Sequence, residues 1–380
     1  MGSQTREGCY PTGPVIPAQT DDSMTKPSAN RVDALIVGQG LAGSLLAHAL
    51  DSEGLSVAVA DPGHGGSASM AAAGAMNPCA SARYTAPAPL DLWLDHAVST
   101  WQGLERRLDT PLFQPQLLCR LFRDAREAGR VKRQRRHPAL ARVVSAPVAG
   151  SPPGLSTAPG HVLIRSARVD LPAFLAATRQ WLAARGALRE RSCHPDDVVP
   201  SAYGISWRGI DARVLVLCQG AVAARHPGLR RLPWRLSRGE ALYLEADDEW
   251  PDMAVSRGPS LIPVDGERYW LGATYDRELQ NPSPGTRART TLLASLEQLL
   301  AGTPAPRVIA QHVGVRPGSR TELPFCCRVP GKPPVYLLNG LGSRGTLLGP
   351  RCATTLSRHL AHGTALPPEW NPWGETWRSA

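Results

Sequence analysis

The sequence has no run approaching the ~18 uninterrupted apolar residues that a membrane-crossing helix requires, and no apolar core of a secretion signal near its start. Its eight cysteines form no C-x-x-C pair and no paired spacing, so neither a disulfide framework nor a zinc site is indicated, and no metal is expected. A reducing, cytoplasmic setting follows as the expectation. No internal repeat is visible. Lysine is scarce: of 42 basic residues only Lys26, Lys132 and Lys332 are lysines. What is present is ordinary for a globular chain. A hydrophobic share of 42% against 19% charged residues excludes a disordered scaffold, a collagen-like repeat and a coiled coil. A length of 380 residues suits two domains, or one elaborated by insertions.

The formal net charge of +10 is concentrated. Nine Arg or Lys residues lie between Arg120 and Arg142, against Asp124 and Glu127 alone. Such a run is either a solvated helix face or a patch facing RNA. No aromatic residue interleaves between Arg123 and Arg142, which favours the solvated face.

Along the chain, residues 1–30 are polar and rich in Pro, Gly, Ser and Thr and read as a tail. Val32 to Val37 is a short apolar strand ending at Gly38. Leu45, Leu46, Ala49 and Leu50 follow at helical spacing, with Gly54 as a C-cap, and Val57 to Ala60 forms a second strand closing on Asp61. Helices are expected near 91–108, from Leu171 to Arg185 behind the N-cap Asp170, near 287–301 and over 350–361. Residues 143–160 read as a linker. Strands are expected at 213–218 and 335–339, and an antiparallel sheet between Trp234 and Leu300.

Gly38-Gln39-Gly40-Leu41-Ala42-Gly43 fits G-x-G-x-x-G between a strand and a helix, and Asp61 lies 21 residues beyond Gly40. Gly38 permits a tight turn, and Gly40 lets a pyrophosphate lie against backbone N–H groups. Gly43 lets helix and strand pack closely, and Asp61 is placed to accept from ribose hydroxyls. The chain is therefore expected to bind an adenine dinucleotide. An NAD dehydrogenase would continue with further βα units. Here residues 63–76 are almost wholly Gly, Ala, Ser and Met, which suits a loop running beside a flavin.

Four blocks carry a resemblance: the turn 35–43 with Asp61; the small-residue loop Ser69–Pro78; the strand and glycine 214–220; and Gly314-Val315-Arg316-Pro317 with Asn339 to Pro350. Together they resemble the FAD-dependent amine oxidases of the D-amino-acid oxidase and glycine oxidase superfamily. The segment Gly340-Leu341-Gly342-Ser343-Arg344-Gly345 is also similar to one in the oxidase domain of the bifunctional enzyme that matures methylaminomethyl-uridine in tRNA. The resemblance implies an α/β, Rossmann-like FAD-binding domain with an inserted, mainly antiparallel-sheet substrate domain. Its boundaries would be 31–90, 155–230 and 306–365 for the flavin domain and 91–154 and 231–305 for the substrate domain, with a C-terminal tail over 366–380.

The resemblance further implies non-covalent FAD contacts from Gly38, Gly40, Leu41, Ala42, Gly43, Asp61, Ser69, Ala73, Gly74, Met76, Gly220, Gly342, Ser343, Gly345, Thr346 and Leu347. Arg316 and Arg344 would project toward a carboxylate-bearing substrate, for which a planar guanidinium fork is suited, and Tyr275 would gate it. Tyr243 is a second residue that could gate the substrate, whereas His312 reads as structural. Cys326 and Cys327 read as buried strand residues, not as flavin anchors. The implied reaction is oxidation of the C–N bond of a small-molecule primary or secondary amine by hydride transfer to the flavin, with O2 or another acceptor. Two other readings stay open: an oxidase acting on a wobble uridine of tRNA, and a flavin-binding protein without turnover.

Overall fold

The computed structural model describes residues 31–79, 83–246, 250–277, 279, 283–302, 306–331 and 334–374. The expected tail 1–30 lies outside them. Strand β1 (Arg31–Val37), helix α1 (Leu41–Ser52) and strand β2 (Val57–Ala60) form a βαβ unit with β1 and β2 parallel, Val37 beside Ala60. On its other side β1 pairs in parallel with Ile210–Leu217, which pairs in parallel with Val335–Asn339. Leu188–Arg189 extends this sheet beyond β2, and Phe325–Arg328 closes the opposite edge in antiparallel pairing. Alternate residues feed two cores. Ile36, Val59 and Val216 pack with α1 and the helices Leu171–Ala184 and Gly345–His362, whereas Leu35, Ala58 and Leu215 pack on the far face.

A second, nine-stranded sheet runs in the order Arg307–Ser319, Trp234–Glu245, Arg268–Gly272, Ser260–Asp265, Ala254–Ser256, Phe113–Leu121, Gly160–Val169, Ala75–Met76, with Val148–Ala149 paired to Gly160–Val169. It is antiparallel except where Ala254–Ser256 meets Phe113–Leu121. The architecture is thus the expected α/β flavin-type half joined to a mainly antiparallel half.

The domain boundaries differ from those read off the sequence. Gly160–Val169 and Arg307–Ser319, expected in the flavin half, belong to the second sheet. The helix Leu90–Leu108, expected in the substrate half, buries Trp93, Ala97, Trp101 and Leu104 in the core of the flavin half. A single strand or helix does not carry the identity of the layer it joins. The expected C-terminal tail also packs back: Trp370 is buried, its ring 5.6 Å from that of Trp93. Residues 375–380 lie outside the described ones.

The helix expected over 350–361 begins at Gly345 and runs through Pro350. A proline inside a helix cannot donate to the carbonyl four residues back, which here is Thr346. The Trp101 indole N–H donates to that carbonyl at 2.8 Å and satisfies it. Gly345 and Gly349 permit close approach to α1: a Cβ on either would lie 2.7 Å from a terminal carbon of Leu41 or Leu45 respectively.

Candidate active site

A cavity of about 1030 Å³ runs along the carboxyl ends of the parallel strands and under the second sheet, at the large end of the ~300–1,000 Å³ typical of ligand sites. Its first end is the glycine turn. Gly38 has φ +101°, and a Cβ there would lie 2.7 Å from the Cys218 carbonyl oxygen. A Cβ on Gly43 would lie 1.9 Å from the Gly38 oxygen, so Gly43 sets helix–strand packing and does not itself line the cavity. Gly40, Leu41 and Ala42 do line it. Helix α1 has no side-chain cap, so its start presents partial positive charge there. Leu41 N–H donates to Ser69 Oγ at 3.1 Å, tying the small-residue segment to the helix start.

Asp61, at the end of β2, lines the same end. Its carboxylate accepts from the N–H groups of Gln39 at 2.8 Å and Gly63 at 2.7 Å, and Arg179 lies 3.4 Å away. It therefore braces the turn as well as facing the cavity.

The middle of the cavity is bounded by Ala73, Gly74, Gly220, Gly342, Ser343, Gly345 and Thr346. The segment expected as a loop contains a short helical turn, Ala68–Ala71, capped by Ser67 and pressed on the strand Arg307–Ser319. A Cβ on Gly314 would come within 2.7 Å of Ala68 Cα. Gly74, with φ +74°, leaves no room for a side chain, since a Cβ would sit 1.8 Å from the Val169 oxygen. Gly345–His362 starts here without a side-chain cap, and the first N–H groups of a helix lack partners within it. Thr346 Oγ donates to the Ala75 carbonyl at 2.9 Å. Met76 and Leu347, expected to touch the cofactor, are buried in the hydrophobic core and do not line the cavity.

At the far end stand Arg316 and Tyr275. The Arg316 guanidinium lies 4.5 Å from the Tyr275 ring centroid and donates to the Thr274 carbonyl at 3.4 Å. Among the described residues no carboxylate pairs with it. Burial draws it below its ordinary pKa, but a guanidinium stays charged. It lies across Gly239, where a Cβ would come within 2.5 Å of its nitrogens. Tyr275 is 72% exposed, at the mouth. Arg344 is placed differently from the expectation. It does not line the cavity, and its guanidinium bonds the Glu322 carboxylate at 2.9 Å. Tyr243 and His312 pack against each other, rings 5.1 Å apart, off the cavity. Cys326 and Cys327 are buried, and burial pushes the Cys327 thiol up to about 12.

Sequence reasoning missed Arg120, Arg123, Ser256, Ser260 and Trp270, all of which line the cavity. Arg120 and Arg123 open the basic run, whose composition favours a solvated face. Only the register of the second sheet brings these residues together.

These features fit FAD. The tight turn at Gly38, the bare Gly40, the acidic end of β2 and two uncapped helix starts suit a diphosphate-bridged dinucleotide with a polar ring system. The chain matches the FAD dependent oxidoreductase family (DAO) over residues 33–358. It is 29% identical over 156 residues to a glycine oxidase of Pseudomonas putida, covering 41% of this chain and 39% of that protein. It is 25% identical to a tRNA 5-methylaminomethyl-2-thiouridine biosynthesis bifunctional protein of Marinobacter nauticus, covering 91% of this chain and 58% of that protein. The matches thus span less than two-thirds of either curated relative. Among solved structures, glycine oxidase from Geobacillus kaustophilus superposes with a TM-score of 0.77 at 22% identity, covering 90% of this chain and 98% of that one. With a fold shared with a solved glycine oxidase and a family match over nearly all the described residues, the chain belongs to the FAD dependent oxidoreductase family and is a flavoenzyme.

Proposed function

We propose that this flavoenzyme oxidises the C–N bond of a primary or secondary amine that carries a carboxylate. The observation that carries the reading is Arg316: a guanidinium without a carboxylate partner among the described residues, in the cavity that holds the cofactor-binding turn. Bound FAD supplies the hydride acceptor for the carbon next to nitrogen. The chain's share is placement. Arg316 would hold the substrate carboxylate bidentately, with Tyr275 stacked on its outer face. Trp270 and Ile262 form an apolar wall that excludes water, and the uncapped start of Gly345–His362 offers N–H groups to developing negative charge. Dioxygen would serve as the acceptor. The relatives named glycine oxidase support the same chemistry.

The test is anaerobic titration of the yellow protein with glycine, sarcosine, proline and D-alanine. At least one should bleach the flavin, and Arg316→Met should lower kcat/KM about 10²-fold or more while leaving FAD bound. A flavin that stays oxidised with every carboxylate-bearing amine would refute the reading.

A second reading, an oxidase of a wobble-uridine amine in tRNA, draws on a different observation. Arg123, Arg126, Lys132, Arg133 and Arg136 are exposed, have no carboxylate partner among the described residues, and begin at the cavity rim. It requires tRNA binding that weakens steeply with salt.

A further inference from the structure

The sheet register places four cavity-lining residues in one row. Arg120 lies opposite Ser256, Ser256 opposite Ser260, and Ser260 opposite Gly272. Residues in direct register share a face of the sheet, and all four line the cavity. Two residues past Gly272, the Thr274 carbonyl accepts from Arg316. The wall therefore reads as a polar track with an arginine at each end. With strands ~4.8 Å apart, the backbones of Arg120 and Gly272 are separated by about 14 Å.

The Arg120 end is built, not loose. Arg120 is 9% exposed, its guanidinium 4.9 Å from the Tyr84 ring centroid and its Nε 3.7 Å from Glu127, which is 1% exposed. Glu127 also accepts from the Tyr84 hydroxyl at 3.3 Å and from the Arg123 N–H at 2.8 Å. Arg123 stands at the rim beside Gly258, donating from Nε to the Arg257 carbonyl. Ser256 is 8% exposed, and neither its hydroxyl nor that of Ser260 has a hydrogen-bond partner among the described residues. Among the described residues lining the cavity, Asp61, at the opposite end, is the one carboxylate, against Arg120, Arg123, Arg225 and Arg316. The diphosphate of FAD belongs to the glycine-turn end. Arg120 is held by Glu127, so what a substrate with one carboxylate leaves unused at the other end is the pair of serine hydroxyls and the rim guanidinium of Arg123.

We infer that Ser256, Ser260, Arg120 and Arg123 form a second oxyanion subsite, so that the preferred substrate is an amine with an anionic group at each end: one carboxylate on Arg316 and a distal carboxylate or phosphate on the serine–arginine end. This rests on the amine-oxidase reading above and names its substrate class. Glycine and sarcosine are too short to reach both ends.

The test compares, on the FAD-loaded protein, N-alkylglycines with N-(ω-carboxyalkyl)glycines and N-(ω-phosphonoalkyl)glycines of matched length. At one chain length the acid-terminated amine should show about tenfold or more higher kcat/KM, expressed in KM, and the better of the two acids identifies the distal group. The variant Ser256→Ala/Ser260→Ala should reduce that preference to less than about threefold while N-alkylglycine turnover is unchanged. Equal kcat/KM at every length, or a preference that survives in the serine variant, overturns the inference. If no amine reduces the flavin, the amine reading alone has failed, and the subsite is judged by binding. Linear dicarboxylates should then shift the flavin absorption band at about tenfold lower concentration than monocarboxylates of equal length, an advantage lost in the serine variant. Equal affinity overturns the subsite.

Discussion

Replacing Trp101 by phenylalanine removes one N–H whose acceptor has no substitute. The Thr346 carbonyl would ordinarily take the N–H four residues on, but that residue is Pro350. The indole bond, 2.8 Å long and fully buried, fills the gap. An orphaned buried carbonyl costs about 1–3 kcal/mol. The smaller ring adds a packing loss of about 1–3 kcal/mol, so Trp101→Phe should destabilise by about 2–6 kcal/mol. Pro350→Ala restores a backbone N–H. In the Trp101→Phe background it should recover about 1–3 kcal/mol beyond its effect in the parent, because the packing loss is common to both and cancels. The assay is urea unfolding of the FAD-loaded protein followed by far-ultraviolet circular dichroism, run as a double-mutant cycle. FAD affinity should follow the same order, since Thr346 lies in the first turn of the helix that borders the cofactor cavity. A coupling below about 0.5 kcal/mol would mean that the two substitutions act independently, and would refute the account of how this helix tolerates its proline.

Three further outcomes are expected. Gly43→Ala forces a Cβ to 1.9 Å from the Gly38 oxygen, and should destabilise by about 3 kcal/mol or more and yield colourless protein, read by absorbance and thermal melting. His48, buried on α1 with Nε2 3.0 Å from Thr178 Oγ, has its pKa lowered to about 3, mainly by burial and then by Arg107 and Arg185. The unfolded chain takes up its proton near pH 6.5 and the folded one near pH 3, so its contribution is present above about pH 6.5 and lost as pH falls toward 3. His48→Gln should flatten the acid limb of a stability–pH curve by up to ~1.4 kcal/mol per pH unit in that window, and an unchanged slope would remove the assignment. Arg344→Met should lower kcat/KM less than tenfold where Arg316→Met costs about 10²-fold or more; equal losses would return Arg344 to the substrate.

The nucleotide turn was legible because each glycine answers a local demand: a positive φ at Gly38, a bare surface at Gly40, a helix–strand contact at Gly43. Asp61 was legible from the length of a βαβ unit. Arg316 was legible only through the resemblance carried by Gly314-Val315-Arg316-Pro317. The Arg120, Ser256 and Ser260 wall was not, because three unrelated segments meet only through sheet register, and no local pattern of either serine differs from that of a surface strand. Pro350 hid the start of its helix, since proline suits a first turn and the compensating donor lies in another helix. Met76 and Leu347 border the site in sequence, but their large apolar side chains are drawn into the core while their neighbours Ala75 and Thr346 face the cavity.

The contact between α1 and Gly345–His362, made close by Gly345 and Gly349, joins segments about 300 residues apart. On a ribosome adding ~5–20 residues per second, roughly 15–60 s separate the emergence of the glycine turn from that of the helix that completes its cavity. Throughout that interval the nascent chain has the dinucleotide motif but only part of the pocket. Cofactor capture is therefore a late event in biosynthesis, and free FAD should protect the finished chain from proteolysis far better than it protects ribosome-bound chains that end before residue 345.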